Sequence, residues 1–370
     1  MKIVIAPDSF KGSASARQVS EAIERGLKNA LREEATVLCC PIADGGEGTL
    51  DALVNRADRI AAEVAGPLFA PVAAEYGCVG DTAVIEMASA AGLTLVPESE
   101  RRAGKATTHG VGELIANALN KGYRKIMLTV GGSATNDGGC GMFSALGAVY
   151  RNSKGEAFLP TGETLSEIAS LELSGVLPAL WECEITIATD VKNPLLGATG
   201  ATMVYGAQKG ATQEELEAME RGMERYAALV ERMAGAPIAA LAGCGAGGGV
   251  ALPLLAFAGA RIKSGIETVL EVNRFRERVS GADLVITGEG RLDGQSLYGK
   301  AISGVADVAR ELGVPVICLV GCVGELPQDL TAMGIRKVLT VASLASSTED
   351  SMKNAERYLE QLAMQVAEQL

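Results

Sequence analysis

Apolar and polar residues follow one another in this chain in a pattern that predicts strands alternating with helices. Short apolar runs, each long enough for one buried strand, are followed by amphipathic stretches of helical length. The first half-domain is predicted as strand 2–7, helix 15–31 with Ser15 as its N-cap, strand 36–43 and helix 47–56. At the far end the pattern predicts strand 284–287, helix 299–312, strands 314–320 and 338–342, and a last helix from 347 onward. Strands alternating with helices are typical of parallel sheets, so we expect both ends in one doubly wound domain.

The middle of the chain follows a different pattern. Three apolar runs, 60–64, 72–79 and 83–87, are separated by short turns with Gly or Pro, which predicts an antiparallel meander. A helix at 111–122, a strand at 125–130, a helix after Gly139, a strand-like run at 202–205 and a charged helix at 212–232 follow. We therefore predict an α/β protein of two domains. Residues 1–60 and 262–370 form a Rossmann-like doubly wound parallel sheet, and a mixed α/β domain, 61–261, is inserted in it.

Charge and composition narrow the possible partners. The formal net charge is −12, which argues against binding to nucleic acid or to an anionic membrane surface. The uncharged stretch 233–260 contains Pro237, Pro253 and several glycines, so we interpret it as a glycine turn followed by a buried helix, 250–257, rather than a membrane span. The eight cysteines include no C-x-x-C pair, and the chain begins directly with a strand, so we expect reduced thiols, no signal peptide and a cytoplasmic location.

The candidate chemistry lies where strands end. Five times a strand-like run ends on an acidic residue set among glycines, small residues or asparagine: KIVIAPDSFKG, LCCPIADGGEG, IMLTVGGSATNDGG, EITIATDVKNP and DLVITGEGRLDGQ. We number these loops first (8–12), second (44–48), third (131–139), fourth (190–194) and fifth (288–294). Ligands bind at the carboxyl ends of strands in α/β proteins, glycine lets backbone N–H groups approach an anion, and carboxylates hold divalent cations. The pattern predicts a site that handles phosphate and metal.

Each loop contributes candidate binding or catalytic residues, and each also has a structural interpretation. The alternatives are a turn that caps the next helix, for the first and fourth loops, and a glycine-rich packing turn, for the third. The second loop is expected to present N–H groups to an anion at a positive helix end. The candidates are Asp8, Ser9 and Lys11; Asp44, Gly45, Gly46 and Glu47; Gly132, Ser133, Asn136 and Asp137; Asp190 and Asn193, with Lys209 after them; and Glu289, Arg291, Asp293 and Lys300.

Several familiar motifs are excluded. The spacing from Gly294 to Lys300 fits a P-loop, but Ala301 stands where the magnesium-binding hydroxyl belongs. The run 243–248 matches G-x-G-x-x-G, but an alanine-rich stretch precedes it instead of a strong strand, so a packing turn is the better interpretation. His109 is the only histidine, which argues against a zinc site and a Ser-His-Asp hydrolase. Oxygen ligands dominate, so any metal is expected to resemble Mg²⁺.

Seven motifs in fixed order, spread over almost the entire chain, resemble the bacterial glycerate kinase family, and specifically its glycerate 2-kinases: APDSFKGS, PIADGGEGT, GVGEL, GGSATNDGG, TDVKNPL, QKGAT and ITGEGRLDGQ. The sequence departs from the family pattern at Ala207, where proline is usual, and at 241–244, where a PGAG-like turn is usual. The resemblance implies transfer of phosphate from ATP to D-glycerate, at the 2-hydroxyl. It also implies a Rossmann-like domain and a second α/β domain with the active site in the cleft between them.

For the reaction we hypothesise that Asp190 or Asp44 accepts the hydroxyl proton and that Lys11 or Arg291 neutralises the migrating charge. Glu289 and Asp293 would hold Mg²⁺ and ATP, and the loop 133–139 an anionic group of substrate or nucleotide. Small molecules are the expected partners of a monomer or homodimer. The alternatives are a glycerate 3-kinase or a kinase for another hydroxy acid or sugar acid, a non-catalytic ligand-binding protein, and a dehydrogenase.

Overall fold

The computed structural model describes residues 1–31, 35–294, 300–326 and 330–370. They divide into two compact units. Met1–Arg56 with Ser264–Leu370 form one, here called the terminal unit, and Ala57–Lys263 form the other, the central unit.

The strands are, in chain order, β1 (Lys2–Ile5), β2 (Thr36–Cys39), β3 (Ile60–Ala65), β4 (Pro71–Val79), β5 (Thr82–Glu86), β6 (Lys125–Thr129), β7 (Val149–Arg151), β8 (Ala157–Phe158), β9 (Ser170–Glu172), β10 (Glu184–Ala188), β11 (Arg261–Lys263), β12 (Leu284–Thr287), β13 (Arg291–Leu292), β14 (Val316–Val320), β15 (Cys322–Val323) and β16 (Ile335–Thr340).

The α-helices are, in the same order, α1 (Ala16–Leu31), α2 (Thr49–Leu53), α3 (Ala88–Ala91), α4 (His109–Asn120), α5 (Cys140–Ala145), α6 (Ala201–Tyr205), α7 (Gln213–Ala234), α8 (Ala251–Phe257), α9 (Gly265–Val272), α10 (Phe275–Val279), α11 (Ala301–Glu311), α12 (Thr348–Lys353) and α13 (Ala355–Ala367).

The terminal unit is built on a five-stranded parallel sheet with the order β16-β14-β12-β1-β2. Its middle strands β1 and β12 are almost entirely buried, as expected when a parallel sheet is covered on both faces. Helices α1 and α13 pack side by side and contribute to one apolar cluster with the sheet. Counted within this unit, the strands run 2-1-3-4-5, which is one of the two common doubly wound orders. The predicted doubly wound parallel sheet is confirmed.

The central unit holds a six-stranded sheet of the order β11-β10-β6-β5-β4-β3. Its β3, β4 and β5 pair antiparallel, as the meander predicted, while β5, β6, β10 and β11 pair in parallel. A small antiparallel sheet, β8-β7-β9, adds to this unit. Helices α4, α5, α7 and α8 supply most of the helical residues in its apolar core. The predicted mixed α/β character of this part of the chain is confirmed.

Some element predictions were wrong. The strand-like run at 202–205 instead lies in helix α6, Ala201–Tyr205. Periodicity does not distinguish a helix from a strand in so short an apolar run with β-branched residues. In the structure, Gly206 N–H donates to the Thr202 carbonyl and completes a helical turn. Strand β16 begins at Ile335, before the predicted 338, because the exposed Arg336 and Lys337 lie on it and mask its start. The last helix is divided into α12 and α13 at Asn354.

The uncharged stretch at 233–260 ends in helix α8, as expected. In the described part of the chain, no helix combines the length and the apolar character that crossing a bilayer requires. All eight cysteines carry free thiols.

The contact between α1 and α13 depends on Gly26, which gives a first prediction. A Cβ at this position would lie far inside van der Waals distance of the Glu360 carbonyl oxygen. Gly26→Ala should therefore lower the free energy of unfolding by about 1–3 kcal/mol, although alanine normally stabilises a helix interior. Glu21→Ala, at an exposed position of the same helix, is the matched control and should leave stability unchanged or raise it slightly. Thermal and urea unfolding of both variants measure the difference, and a Gly26→Ala protein as stable as Glu21→Ala would contradict it.

Candidate active site

In the terminal unit, three of the five loops meet at one edge of the sheet. The first loop follows β1, the second follows β2 and the fifth follows β12, and these three strands are parallel neighbours. The backbone joins the loops: Asp8 N–H donates to the Gly288 carbonyl at 2.8 Å, and Ile42 N–H donates to the Pro7 carbonyl at 3.0 Å. The direction of the chain connections reverses between β1 and β12. This is the topological switch point, where doubly wound folds bind ligands.

Electrostatics show that the acidic side chains of these loops interact. Burial, together with the charges of Asp44 and Glu289, raises the pKa of Asp8 to about 7. Ser9 opposes this rise: its N–H donates to Asp8 Oδ1 at 2.6 Å, and hydrogen bonds from its backbone and its side chain both favour the charged form of Asp8. The structure therefore brings together Asp8, Asp44 and Glu289, which the sequence placed at the ends of three separate strands. A carboxyl group that titrates near neutral pH is suited to proton transfer or to binding a cation.

The second loop is shaped by glycine. Gly45 and Gly48 both have φ above +80°, and Gly46 N–H donates to Asp44 Oδ1 at 3.1 Å, so the carboxylate already engages part of the predicted anion-binding nest. The helix after it, α2, is only five residues long, so its dipole adds less at this point than the sequence suggested. The Glu47 side chain is exposed. At the start of α9, Gly265 lies against the Asp44 carbonyl so closely that a Cβ would overlap it.

The charged residues of the fifth loop lie beside a small parallel pair, β13 with β15. Arg291 Nε lies 3.6 Å from Asp293 Oδ2, so the predicted cation and the predicted metal ligand form a partly exposed ion pair. Lys300 is the N-cap of α11, where its N–H donates to Ser303 Oγ at 2.9 Å. The P-loop-like run from 294 to 300 includes residues 295–299, which lie outside the described residues. Lys11 is exposed in the first loop.

Among the residues that the structure describes, no group of three or more histidine, cysteine, aspartate or glutamate side chains is arranged to hold a metal ion. The metal-binding roles of Glu289 and Asp293 therefore stay predictions.

In the central unit, Asp137 of the third loop is completely buried. Its carboxylate accepts hydrogen bonds from Thr108 N–H and Oγ1, at 2.8 and 2.9 Å, and from the N–H groups of Gly139 and Gly141, at 3.1 and 3.2 Å. Burial raises the pKa of this carboxyl and the hydrogen bonds oppose the rise. The donors belong to the first turns of α4 and α5, so Asp137 links the starts of two helices. Contact between Asp137 and a ligand stays a prediction.

Lys209 is also buried, and its ammonium contacts the same loop. Nζ donates to Ser133 Oγ at 2.8 Å and to the Thr135 carbonyl at 2.7 Å. Burial lowers the pKa of Lys209 to about 8, and the nearby charge of Asp137 partly opposes this. Asn136 is buried as well, and its Nδ2 donates to Thr202 Oγ1 at 3.1 Å. Asn136 and Lys209, both predicted to bind an anion, thus form buried hydrogen bonds that stabilise the third loop. Gly132, near the start of the loop, is exposed.

The fourth loop begins at Asp190, which is partly buried and lies two residues after Ala188, the last residue of β10. Asn193 stabilises this loop: Nδ2 donates to the Thr199 carbonyl at 2.8 Å, and Oδ1 accepts from Tyr205 Oη at 2.8 Å. His109 is the first residue of α4, and its Nε2 lies 3.9 Å from Glu113 Oε1.

Sequence reasoning missed Thr108 as the partner of Asp137. The signal available was the pair Thr107-Thr108 ahead of a helix, which indicates a cap but not which carboxylate it meets.

The sequence model of one protein family, described as the glycerate kinase family, matches residues 3–370 of this chain. The chain belongs to the glycerate kinase family. It is 43% identical over 371 residues to a glycerate kinase of Bacillus subtilis, covering 99% of this chain and 97% of that protein. It is 41% identical over 363 residues to the glycerate 2-kinase of Escherichia coli K12, covering 96% and 94% of the two.

A crystal structure from Salmonella typhimurium LT2, described there as a candidate glycerate kinase 2, matches with a TM-score of 0.89 and 44% identity, covering 100% of this chain and 98% of that one. The family predicted from the seven motifs is confirmed, and with it the prediction of an enzyme.

The Asp137 cluster generates a stability prediction. Asp137→Ala removes an acceptor shared by four buried donors, so we expect the free energy of unfolding to fall by about 3 kcal/mol or more. Urea denaturation followed by circular dichroism measures the loss. Asp81→Ala is the control, because Asp81 is exposed and forms a surface ion pair with exposed Lys125 at 2.7 Å, and its effect should be small. Equal stability of the two variants would contradict the assigned role.

Proposed function

We propose that this chain transfers the γ-phosphoryl group of ATP to the 2-hydroxyl of D-glycerate, giving 2-phospho-D-glycerate and ADP. Membership in the glycerate kinase family supports the reaction, and the relative named glycerate 2-kinase supports the position. The structural observation that carries the proposal is the group Asp8, Asp44 and Glu289 at the switch point, where the pKa of Asp8 is raised to about 7.

We propose that these carboxylates of the terminal unit take part in binding Mg²⁺ with ATP. The fit rests on the donor set: three oxygen-bearing side chains on one sheet edge, with a mutual repulsion that a divalent cation would relieve. Mg²⁺ is usually held by one or two carboxylates together with substrate phosphates and water, so a complete protein cage is not required. When bound, the ion would neutralise charge on the phosphates. Asp293 stays a candidate ligand.

The hydroxyl proton needs an acceptor, and the pKa of Asp8 makes this residue a third candidate beside Asp44 and Asp190. A general base works best when its pKa lies near the working pH. Lys11 and Arg291 are exposed cations of the terminal unit that could neutralise the migrating phosphoryl group. In the central unit, the third loop, with Ser133 and its backbone N–H groups, is proposed to bind an anionic group such as the glycerate carboxylate.

We infer that the enzyme works on small molecules alone, without nucleic acid or membrane, as a monomer or homodimer. The free thiols of its eight cysteines suit a reducing cytoplasm.

The proposed reaction is tested by phosphorus NMR of the product formed from D-glycerate, ATP and Mg²⁺. We expect the 2-phosphate. Appearance of the 3-phosphate would overturn the position of transfer, and no ATP consumption with D-glycerate would overturn the substrate. A panel of other hydroxy acids and sugar acids in the same coupled assay then decides between related kinases.

The base is identified by amide substitutions. Asp8→Asn, Asp44→Asn and Asp190→Asn each remove a proton acceptor with little change in volume, and the variant that removes the base should lower kcat by about 10²–10⁴-fold. Asp307→Asn and Asp81→Asn, at exposed positions of the terminal and central units, are the controls. Wild-type kcat in all three test variants would contradict the assignment of a base to these residues.

The raised pKa of Asp8 gives a pH prediction. The folded-state pKa is about 7 and the ordinary value is 3.8, so the folded protein holds this proton more tightly than the unfolded chain. The contribution of Asp8 to stability is therefore lost as pH rises from about 4 to 7. Asp8→Asn should raise Tm by roughly 2–4 °C at pH 8 in the presence of a chelator, and by nothing near pH 4.

Added Mg²⁺ should raise the Tm of the wild-type protein at pH 8 and that of Asp8→Asn much less, since a bound cation stabilises only the charged site. Two results would contradict the role of Asp8. One is a gain in Tm of Asp8→Asn over wild type that is the same at pH 4 and pH 8, and the other is an equal rise in Tm on adding Mg²⁺ to the two proteins.

A further inference from the structure

The glycine-rich turn at 243–249, which resembled a dinucleotide-binding motif, packs against the fourth loop. The N–H groups of Gly243 and Gly245 both donate to the Asn193 carbonyl, at 3.2 and 3.1 Å. Gly245 has an ordinary φ of −79°, so its conformation alone does not require glycine. A Cβ at this position would nevertheless overlap the Pro194 carbonyl oxygen. Steric contact with the fourth loop is therefore what requires glycine here.

The other end of the same turn packs against the third loop. Gly138 N–H donates to the Gly248 carbonyl at 3.0 Å. Gly248 has a φ of +70°, and a Cβ on it would overlap the Thr135 carbonyl oxygen. That oxygen also accepts the hydrogen bond from Lys209 Nζ at 2.7 Å. The turn thus contacts the third loop at the carbonyl that the buried lysine holds.

We propose that the turn 243–249 is a positioning element, which fixes the third and fourth loops relative to each other for the phosphoryl transfer proposed above. The third loop carries Ser133, a candidate for binding an anion, and the fourth loop carries Asp190, a candidate proton acceptor. Buried backbone in van der Waals contact transmits small displacements, because protein interiors are close-packed. Misplacing a substrate-positioning group by about 1 Å costs on the order of 10²-fold in rate. The turn acts through the loops it touches and contacts no substrate itself.

Two alanine variants and a matched control test this inference. Gly245→Ala displaces the fourth loop, and Gly248→Ala displaces the third. Gly235 has a φ of +71°, close to that of Gly248, but no atom lies within 4 Å of its Cβ position. Gly235→Ala therefore carries the same backbone strain without a contact, and comparing it with Gly248→Ala isolates the effect of the contact.

We expect both test variants to lower kcat/KM for D-glycerate by about tenfold or more, while Gly235→Ala stays within about twofold of wild type. Hydrogen exchange gives a second readout that is independent of turnover. Gly245→Ala should increase deuterium uptake in the third loop, although the atoms closest to its new Cβ belong to the fourth. Gly248→Ala should increase uptake in the fourth loop, although the atoms closest to its new Cβ belong to the third.

Two results would overturn the positioning role. One is an increase in deuterium uptake that, in each test variant, is confined to the loop that the new Cβ meets. The other is a pair of test variants with the same kinetic constants as Gly235→Ala. If Gly248→Ala does not fold, Gly245→Ala decides by exchange in the third loop, because its φ imposes no strain. Since the inference rests on the proposed function, the wild-type protein is assayed alongside. Absence of wild-type turnover refutes the reaction, and the exchange measurement then decides whether the turn couples the two loops.

Discussion

The pairing of β1 with β2 on one side and β12 on the other determines the chemistry of the terminal unit. Ile5 pairs with Cys39 and with Ile286, so the three strands end nearly level and their following loops share one edge. The same pairing forces Asp8, Asp44 and Glu289 toward one another, and the resulting repulsion, added to burial, raises the pKa of Asp8 to about 7. A fold selected for stability alone would avoid this arrangement. Local conflict of this kind is expected at functional sites, where a ligand supplies the missing charge.

In the central unit, a buried carboxylate is surrounded by hydrogen-bond donors instead of by other acidic side chains. Asp137 is more deeply buried than Asp8, but four N–H and O–H donors surround it. Hydrogen bonds to a charged acceptor are among the stronger ones in proteins, so this carboxylate stabilises the structure around it. The same residue type therefore has two functions, determined by the donors that surround it. The shape of the third loop follows from Asp137 and Lys209, whose buried charges face the protein interior.

Strand ends and their acidic loops could be predicted from the sequence because both are local patterns. Strand β12 and helix α7 match the expectation closely, since an apolar run or a charged amphipathic stretch is recognised from residues that are close together in the chain. Longer-range partners could not be predicted. Thr108 and Asp137 lie far apart in the chain, and nothing in the sequence distinguishes a lysine that binds a ligand from one, like Lys209, that braces a loop. The pattern at 202–205 fits a strand as well as a helix, and only tertiary packing decides between them.

The second loop shows how far a local motif depends on distant residues. Its three glycines and two acids suggest an autonomous anion-binding turn, yet the Asp44 carbonyl lies against Gly265, where the chain has returned to the terminal unit after the entire central unit. A side chain at 265 would displace Asp44 as surely as a substitution in the loop itself. The position of an acid at the switch point is thus set by the start of α9 as well as by the strand before it. A motif search within the second loop cannot detect this requirement, because the residue that imposes it belongs to no motif.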